Sequence, residues 1–482
     1  MENTQETKKL SKLDSFFGIT KSGSNLKTEI IAGVTTFMAM VYILMVNAGI
    51  FSDAGAVAGI SYGGMYIATA IGAIVGTLLI AFLAKMPLAQ ASGMGINAFI
   101  VYSLILGNTG LTYANCMMLT LLEGVIFIIL SVTGARKKIF EAIPAAVRKA
   151  IGVGIGLFIA FIGMQQSGII VADGATLVTL VSFNVLGKAT FASAVPAVVA
   201  LAGVILIAVL SKKNVKGAIL WGLLGAAALY YIIYGIGAIA GNAAAKEMFA
   251  AVSFSNPFDA FGAWGKESFG KVFTEGFKFS AFSGNIGGLV LLIVTTALSL
   301  CMIDMFDTIG TLYGACSKGG LLDENGVPLN MNKCMLSDAV ATCAGAIAGT
   351  STVTTFVESS SGVAAGGKTG MTALVTGICF ILAMFLSPIA QLIPRCATAS
   401  ALVWVGVLMM SGVKDIDWSD SVEAVVAFIT FIIMCLGYSI NKGIGYGIIA
   451  YVLVKVCTGK IKEISVATWV LAVVYLATFL LT

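Results

Sequence analysis

The sequence predicts an all-α polytopic membrane protein of about 14 spanning segments, arranged as two inverted repeats of seven. Three observations carry that expectation. Hydrophobic residues make up 59% of the chain and charged residues only 11%, with a mean hydropathy of +1.00, a balance too apolar for a water-facing surface. Apolar runs long enough to cross a bilayer follow one another almost end to end. Paired motifs also recur in the same order along the two halves.

In chain order, residues 1–27 are polar, carry Lys8, Lys9, Lys12, Lys21 and Lys27, and lack the apolar centre of a cleaved signal, so they read as a cytoplasmic tail. The first repeat, 28–241, holds apolar runs near 28–50, 62–84, 88–106, 112–134, 144–170, 193–211 and 215–241. An odd number of segments inserts the two repeats in opposite orientations. The basic residues agree: Lys85, Arg136 to Lys138, Arg148, Lys149, Lys212 and Lys213 fall where an inside N-terminus puts cytoplasm. Residues 242–285, with Asn256-Pro257, scattered charges and several Phe and Trp residues, read as an extracytoplasmic loop with interfacial helices. The second repeat, 286–457, has runs near 286–316, 334–350, 352–366, 369–393, 396–412, 422–440 and 443–457. It places Lys318, Lys333, Lys368, Lys414 and Lys455 inside, and only Arg395 and Lys442 on the opposite side. Residues 458–482 end in an apolar run near 464–482 with no partner in the first half; crossing the membrane and lying along it both stay open.

The repeat rests on ordered pairs. Val34-Thr35-Thr36 followed by Asn47 matches Val294-Thr295-Thr296 followed by Asp307 at the same offset. The run from Gly72 to Thr77 matches that from Gly345 to Thr350. Gly124 to Phe127 faces Gly377 to Phe380, each followed by an Ile-Pro pair, Ile143-Pro144 and Ile393-Pro394. Ala197 to Ala200 with Lys216-Gly217 faces Ala424 to Ala427 with Lys442-Gly443. Chance matching of small-residue helices explains one pair; it does not explain the preserved order.

The net charge of +5 is spread over short connections and reads as topology signals, which argues against a nucleic-acid partner. Nine cysteines, among them Cys116, Cys301, Cys343, Cys379 and Cys435, stand singly in apolar stretches without CxxC spacing and read as small core residues. With no histidine and no metal-ligand cluster beyond carboxylates, neither an enzyme nor a cofactor or metal is expected. Any proton coupling falls to carboxylates.

Two segments are too polar for plain spanning helices. One contains Gln90, Ser92, Gly93, Gly95 and Asn97; its counterpart runs from Thr350 through Phe356, Glu358 and Ser361 to Gly362, with Gly366-Gly367 beyond. Backbone that leaves helical geometry at membrane depth survives only where protein or a water-filled cavity satisfies it, so both read as broken helices whose ends point at a substrate. Close packing of small residues is the simpler alternative, but packing alone does not require Asn97 or Glu358. The third element is Asp304 and Asp307, three apart on one helix face, followed by Thr308 and Thr311. Intramembrane carboxylates default to functional sites, and desolvation with mutual repulsion makes this face a candidate proton carrier. Glu123 stands between a packing role and a functional one; Gln165 and Gln166 line a cavity or cap its rim; Glu29 and Lys85 lie at segment boundaries, where charge is ordinary.

These residues carry a resemblance. Glu29 to Thr36 with Val46-Asn47, Gly93 to Ala98, Asp304 to Leu312 and Thr355 to Gly362 make the chain resemble the nucleobase-ascorbate transporter superfamily (nucleobase:cation symporter-2) and, within it, the adenine/guanine/hypoxanthine permeases. The resemblance covers essentially the whole chain. It implies a core domain and a gate domain, short extended stretches in segments 3 and 10, and a base bound between them beside segment 8. Carried over, Asp307 and Glu358 look like the carboxylates that hold the base, with Asn97 and Gly95 contributing from segment 3 and Ser359 from segment 10. Thr311 stands where uracil-type relatives carry a histidine, so Asp307 or Asp304, with Glu358, is expected to handle the proton. A homodimer through the gate domain is implied as well.

The expected function is therefore proton-coupled uptake of a purine base by alternating access in the cell (inner or plasma) membrane. A carboxylate can accept two parallel hydrogen bonds from a purine edge, freed backbone amides can answer ring acceptors, and Phe356 or Phe99 can wall the ring face. Competing readings are an uncoupled facilitator or channel, a uracil or xanthine symporter of the same fold, and an anion transporter; the last wants positive charge where this site is acidic. Adenine, guanine and hypoxanthine stay open as substrates.

Overall fold

The computed structural model describes residues 12–107, 109–133, 143–184, 190–252, 254–324 and 326–481. Lys8, Lys9, Arg136 to Lys138 and the Lys318 side chain lie outside the described residues. Fourteen segments follow in the expected order. The first seven are Leu26–Asp53, Tyr62–Ala84, the strand Gln90–Ser92 with helix Met94–Ile105, Tyr113–Thr133, Ala145–Gln166, Phe191–Lys212 and Ala218–Ile239. The second seven are Ile286–Gly319, Met331–Ala348, the strand Val353–Thr355 with helix Ser359–Ala364, Gly370–Ala390, Arg395–Asp415, Ser421–Leu436 and Ile440–Cys457. Among the described residues ten helices are long and apolar enough to cross a membrane.

The segments sort into two groups. Segments 1–4 pack with segments 8–11, and segments 5–7 pack with segments 12–14. Each group thus takes corresponding segments from both repeats. The seam between the groups runs where segment 1 meets segments 7 and 12, and where segment 5 meets segments 3 and 8.

The connection after segment 7 forms three short helices: Ala243–Ala251 packs on segments 6 and 7, Pro257–Glu267 on segment 2, and Lys271–Thr274 on segments 4 and 9. Glu267 accepts hydrogen bonds from the Ser61 amide and hydroxyl at 2.8 and 2.7 Å, and Asn115 donates to the Gly276 and Lys278 carbonyls. This face is the loop end of the bundle. A hairpin that the apolar pattern does not reveal, Ile170–Asp173 with Leu177–Leu180, follows segment 5.

The last apolar run forms the helix Val466–Leu481 and packs on segments 8 and 14. Tyr475 is fully buried there, its hydroxyl 2.9 Å from that of Ser299, which donates to Asn441 at 2.6 Å. At 16 residues the helix is shorter than most of the segments.

Glu29 departs from its expected role. It is completely buried, and its carboxylate caps segment 11. It accepts from the amides of Lys368 (3.0 Å), Thr369 (3.3 Å) and Thr372 (3.2 Å) and from the hydroxyls of Thr369 (2.9 Å) and Thr372 (2.6 Å). Helix N-termini leave amides unsatisfied and favour negative charge, so the charge sits where the second repeat needs it. Glu29→Ala is expected to lower stability by roughly 1–3 kcal/mol, because several buried donors lose their acceptor at once; a drop in the thermal midpoint of the purified protein in detergent checks this.

Candidate functional site

The two polar segments cross at the centre of the first group. The strand Gln90–Ser92 pairs antiparallel with Val353–Thr355, placing Gln90 opposite Thr355 and Ser92 opposite Val353. Gly93, in extended conformation, caps the helix that follows the first strand, and the β-branched Thr352 to Thr355 favour the second. Both strands are completely buried. They approach segments 2 and 9 so closely that a Cβ on Gly72 would lie 2.8 Å from Thr350, and one on Gly345 2.8 Å from Val353. The repeated glycines of the two halves are therefore the surfaces on which the crossing rests.

Side chains satisfy what the crossing exposes. Thr77 donates to the Gln90 carbonyl at 3.0 Å and Thr342 to the Val353 carbonyl at 3.2 Å. The Gln90 amide donates to Asp338 at 3.1 Å and Thr355 at 3.2 Å, and Thr308 donates to the other Asp338 oxygen at 2.7 Å. Thr352 donates to Glu123 at 2.6 Å, giving Glu123 a place in the crossing. Asp338, completely buried, is a central acid that the apolar pattern missed. The signal was present, a carboxylate at membrane depth, but Asn332 and Lys333 just before it make the start of segment 9 look like a connection.

Asn47, the counterpart of Asp307, has a different post. Its amide donates to Thr69 at 2.6 Å and Thr350 at 3.2 Å; Thr69 itself donates to the Met65 carbonyl, so it can only accept from Asn47. Thr350 in turn donates to Ser92 at 3.0 Å, and Ser92 donates to the Asn97 carbonyl oxygen at 2.9 Å, where the Ser351 hydroxyl also donates. A one-way chain of hydrogen bonds thus fixes the Asn97 side chain with its amide pointing away from these hydroxyls.

The acids of segments 8 and 10 come together at the edge of the crossing. Asp304 is completely buried and Asp307 half-buried on segment 8, with Thr311 buried one turn further on. Glu358 is buried at the start of the segment 10 helix and accepts the Tyr42 hydroxyl at 2.6 Å. Asp307 lies within charge-interaction range of Asp304, Glu358 and Tyr42. Tyr42, fully buried where segment 1 breaks between Met40 and Tyr42, is a partner of the acid cluster that sequence reading missed; a lone Tyr in an apolar run gives no such signal. Ser359 is a strut, its hydroxyl accepting the Ala89 amide at 3.0 Å. Phe356 is buried and its amide donates to the Ala89 carbonyl, while Phe99 is fully buried in the core. Gly95 faces the second group: a Cβ there would lie 2.6 Å from Ile155 of segment 5. The acids and the broken helices therefore sit beside the seam.

A bundle of apolar segments in inverted repeats, with a polar crossing and clustered acids at its centre, is the build of a membrane permease. Residues 27–445 match the Permease family, and the chain belongs to it. It is 40% identical to a putative permease of Methanocaldococcus jannaschii over 97% of this chain and 98% of that one. It is 38% identical to the guanine/hypoxanthine permease PbuO of Bacillus subtilis (95% and 98% covered) and 34% identical to the adenine permease AdeQ of Escherichia coli (96% and 95% covered). Among solved structures, the transmembrane domain of the cyanobacterial bicarbonate transporter BicA is similar at a TM-score of 0.59 and 14% identity, covering 86% of this chain and 97% of that one. SLC26A9 is similar at a TM-score of 0.56 and 13% identity, covering 92% and 68%. These likenesses show the shared inverted-repeat fold. The protein is an integral membrane permease and not an enzyme.

The hydrogen-bond chain through Asn47 makes a specific demand. Asn47→Asp keeps the shape but leaves no donor for Thr69 or Thr350, so it is expected to destabilise the protein by about 1–3 kcal/mol, whereas a residue on the exposed face of segment 6 such as Val198 tolerates change. Comparison of the thermal midpoints of Asn47→Asp and Val198→Ala checks it.

Proposed function

We propose that the protein carries a purine nucleobase, adenine, guanine or hypoxanthine, across the cell membrane together with a proton by alternating access. One observation carries the reading: Asp307 and Glu358, from different segments of the second repeat, converge at the seam between two groups of helices, beside a segment 3 helix contributed by the first repeat. The names of the bacterial relatives, guanine/hypoxanthine and adenine permeases, support the substrate class.

In this reading Glu358 accepts hydrogen bonds from the N–H groups of one purine edge. Tyr42 holds its Oε1, which fixes the carboxylate plane and leaves Oε2 and the remaining lone pairs to the base. Asp307 faces the same space and binds either the base or the proton; Asp304, deeper on the same helix face, is the alternative carrier. Asn97 and Gly95 contribute from segment 3, Phe356 supplies an apolar wall, and Thr311 lines the same helix. A proton cancels one of the clustered negative charges while the loaded site is closed off from water, which lowers the cost of moving it. The first group, carrying the base, moves against the second, with the N-terminus on the cytoplasmic side and a homodimer held through the second group.

Purified protein in vesicles with an imposed pH gradient tests this. Labelled adenine, guanine or hypoxanthine is expected to accumulate with the gradient and to stop accumulating when an uncoupler is added. Asp307→Asn, which cannot exchange the proton, is expected to lose gradient-driven accumulation. Accumulation indifferent to the uncoupler removes proton coupling and leaves the facilitator; accumulation of uracil alone removes the purine assignment. Tyr42→Phe is expected to raise KM by about tenfold or more with a smaller change in maximal rate, the size of one charge-assisted hydrogen bond that orients the binding carboxylate.

A further inference from the structure

Arg395 stands on the side where the distribution of basic residues does not place it, and the structure gives it a partner. Asp53 ends segment 1, and its side chain is only 15% exposed. Its Oδ1 accepts from Arg395 Nη1 at 2.5 Å, and its Oδ2 accepts from the Tyr102 hydroxyl at 2.5 Å and the Gln166 amide at 2.9 Å. The Gln166 amide also donates to the Tyr102 hydroxyl at 2.8 Å. Asp53 and Tyr102 belong to the first group of helices; Gln166 and Arg395, at the end of segment 5 and the start of segment 12, belong to the second.

A second contact lies alongside. The Ser103 hydroxyl, on segment 3, donates to the Tyr438 carbonyl at 2.5 Å, and the Tyr438 hydroxyl donates to Gln165. Tyr438 stands between segments 13 and 14 with φ of 52°, in the left-handed region that an aromatic residue rarely adopts. Its ring is packed edge-on against Tyr102, Phe158 and Phe161, so the unusual backbone is held by contacts from both groups. All these residues sit at the loop end, where segments 1, 3 and 5 finish and segment 12 begins.

We infer that Asp53 is the hub of a clasp that closes the loop end of the seam, joining the two groups of helices when the site is shut off from that side. This deepens the alternating-access reading and rests on it. The exposed Arg395 pair alone would do little, because an exposed ion pair is screened by water. A shielded carboxylate with three donors from both groups is different: separating the groups strips it of the Gln166 and Arg395 donors together. The clasp is therefore two-state, made or broken as a unit, which is what a closing contact in an alternating-access protein requires. It also accounts for Gln166, which binds across the seam, and for Gln165, which holds the Tyr438 hydroxyl within the second group.

Ser103, half-buried on segment 3 against Tyr438 of the second group, is the place for a reporter of opening. The experiment uses the full-length protein in lipid nanodiscs, with its own cysteines replaced and Ser103→Cys as the one thiol of the parent, and follows modification by a small water-soluble maleimide. Asp53→Asn and Arg395→Gln are each expected to speed modification by about fivefold or more, because the population with an open loop end rises. Arg395→Lys, which keeps a cationic donor and leaves the Asp53 carboxylate to Tyr102 and Gln166, is expected to return the rate towards that of the parent. Should the charge variants fail to fold, Tyr102→Phe, which removes one donor and keeps the ring, is expected to speed modification in the same direction. Parent-like rates in the single variants, or in Tyr102→Phe, overturn the clasp. So does Arg395→Lys labelling as fast as Arg395→Gln. Labelling needs no transport, so failed uptake by the parent counts against the proposed function and leaves the labelling result standing.

Discussion

Everything in this protein depends on two short lengths of extended backbone that meet inside a helical membrane bundle. A strand at that depth cannot leave its amides and carbonyls to lipid. Here each strand takes the other as partner, and the remaining groups are met by threonine, glutamine and serine side chains from segments 2, 3, 8, 9 and 10. That arrangement requires small residues on the helices beneath, which is why the Gly72 and Gly345 motifs repeat. It requires polar side chains at the middle of apolar segments, which is why Asn47, Gln90 and Asp338 are where they are. The acids that the proposed transport uses are set on the edge of this crossing.

The same fold is shared with a bicarbonate transporter and with SLC26A9 at low sequence identity. Fold alone therefore says little about cargo. In this chain three acids, Asp304, Asp307 and Glu358, cluster beside the seam, and the Tyr42 hydroxyl donates to one of them. In the proposed reading, a fixed acceptor with a second acid nearby serves a neutral, hydrogen-bonding heterocycle.

Much of the architecture was legible from periodicity and repetition. Segment positions follow from apolar runs, and opposed orientation follows from an odd repeat with biased lysines. The broken segments announced themselves because Gln90, Gly95, Asn97 and Glu358 cannot sit in ordinary lipid-facing helix. Asp304 and Asp307 were visible for the same reason. Tyr42, Asp338 and the roles of Glu29 and Asp53 were not, since each acquires meaning from a partner distant in sequence. Glu29 looks like a boundary charge until segment 11 presents its amides, and Arg395 looks misplaced until Asp53 meets it.

The division has a physical cause. Hydrophobicity acts on each segment separately, so composition and spacing settle that the chain enters a membrane, how many segments it forms and where helix must fail. Hydrogen bonds and charge pairs act over a few ångströms between atoms that the chain separates by hundreds of residues, as Tyr42 and Glu358 are. Folding alone brings those atoms together, and with them the pairing of the strands, the direction of the Asn47 chain and the closure of the loop end.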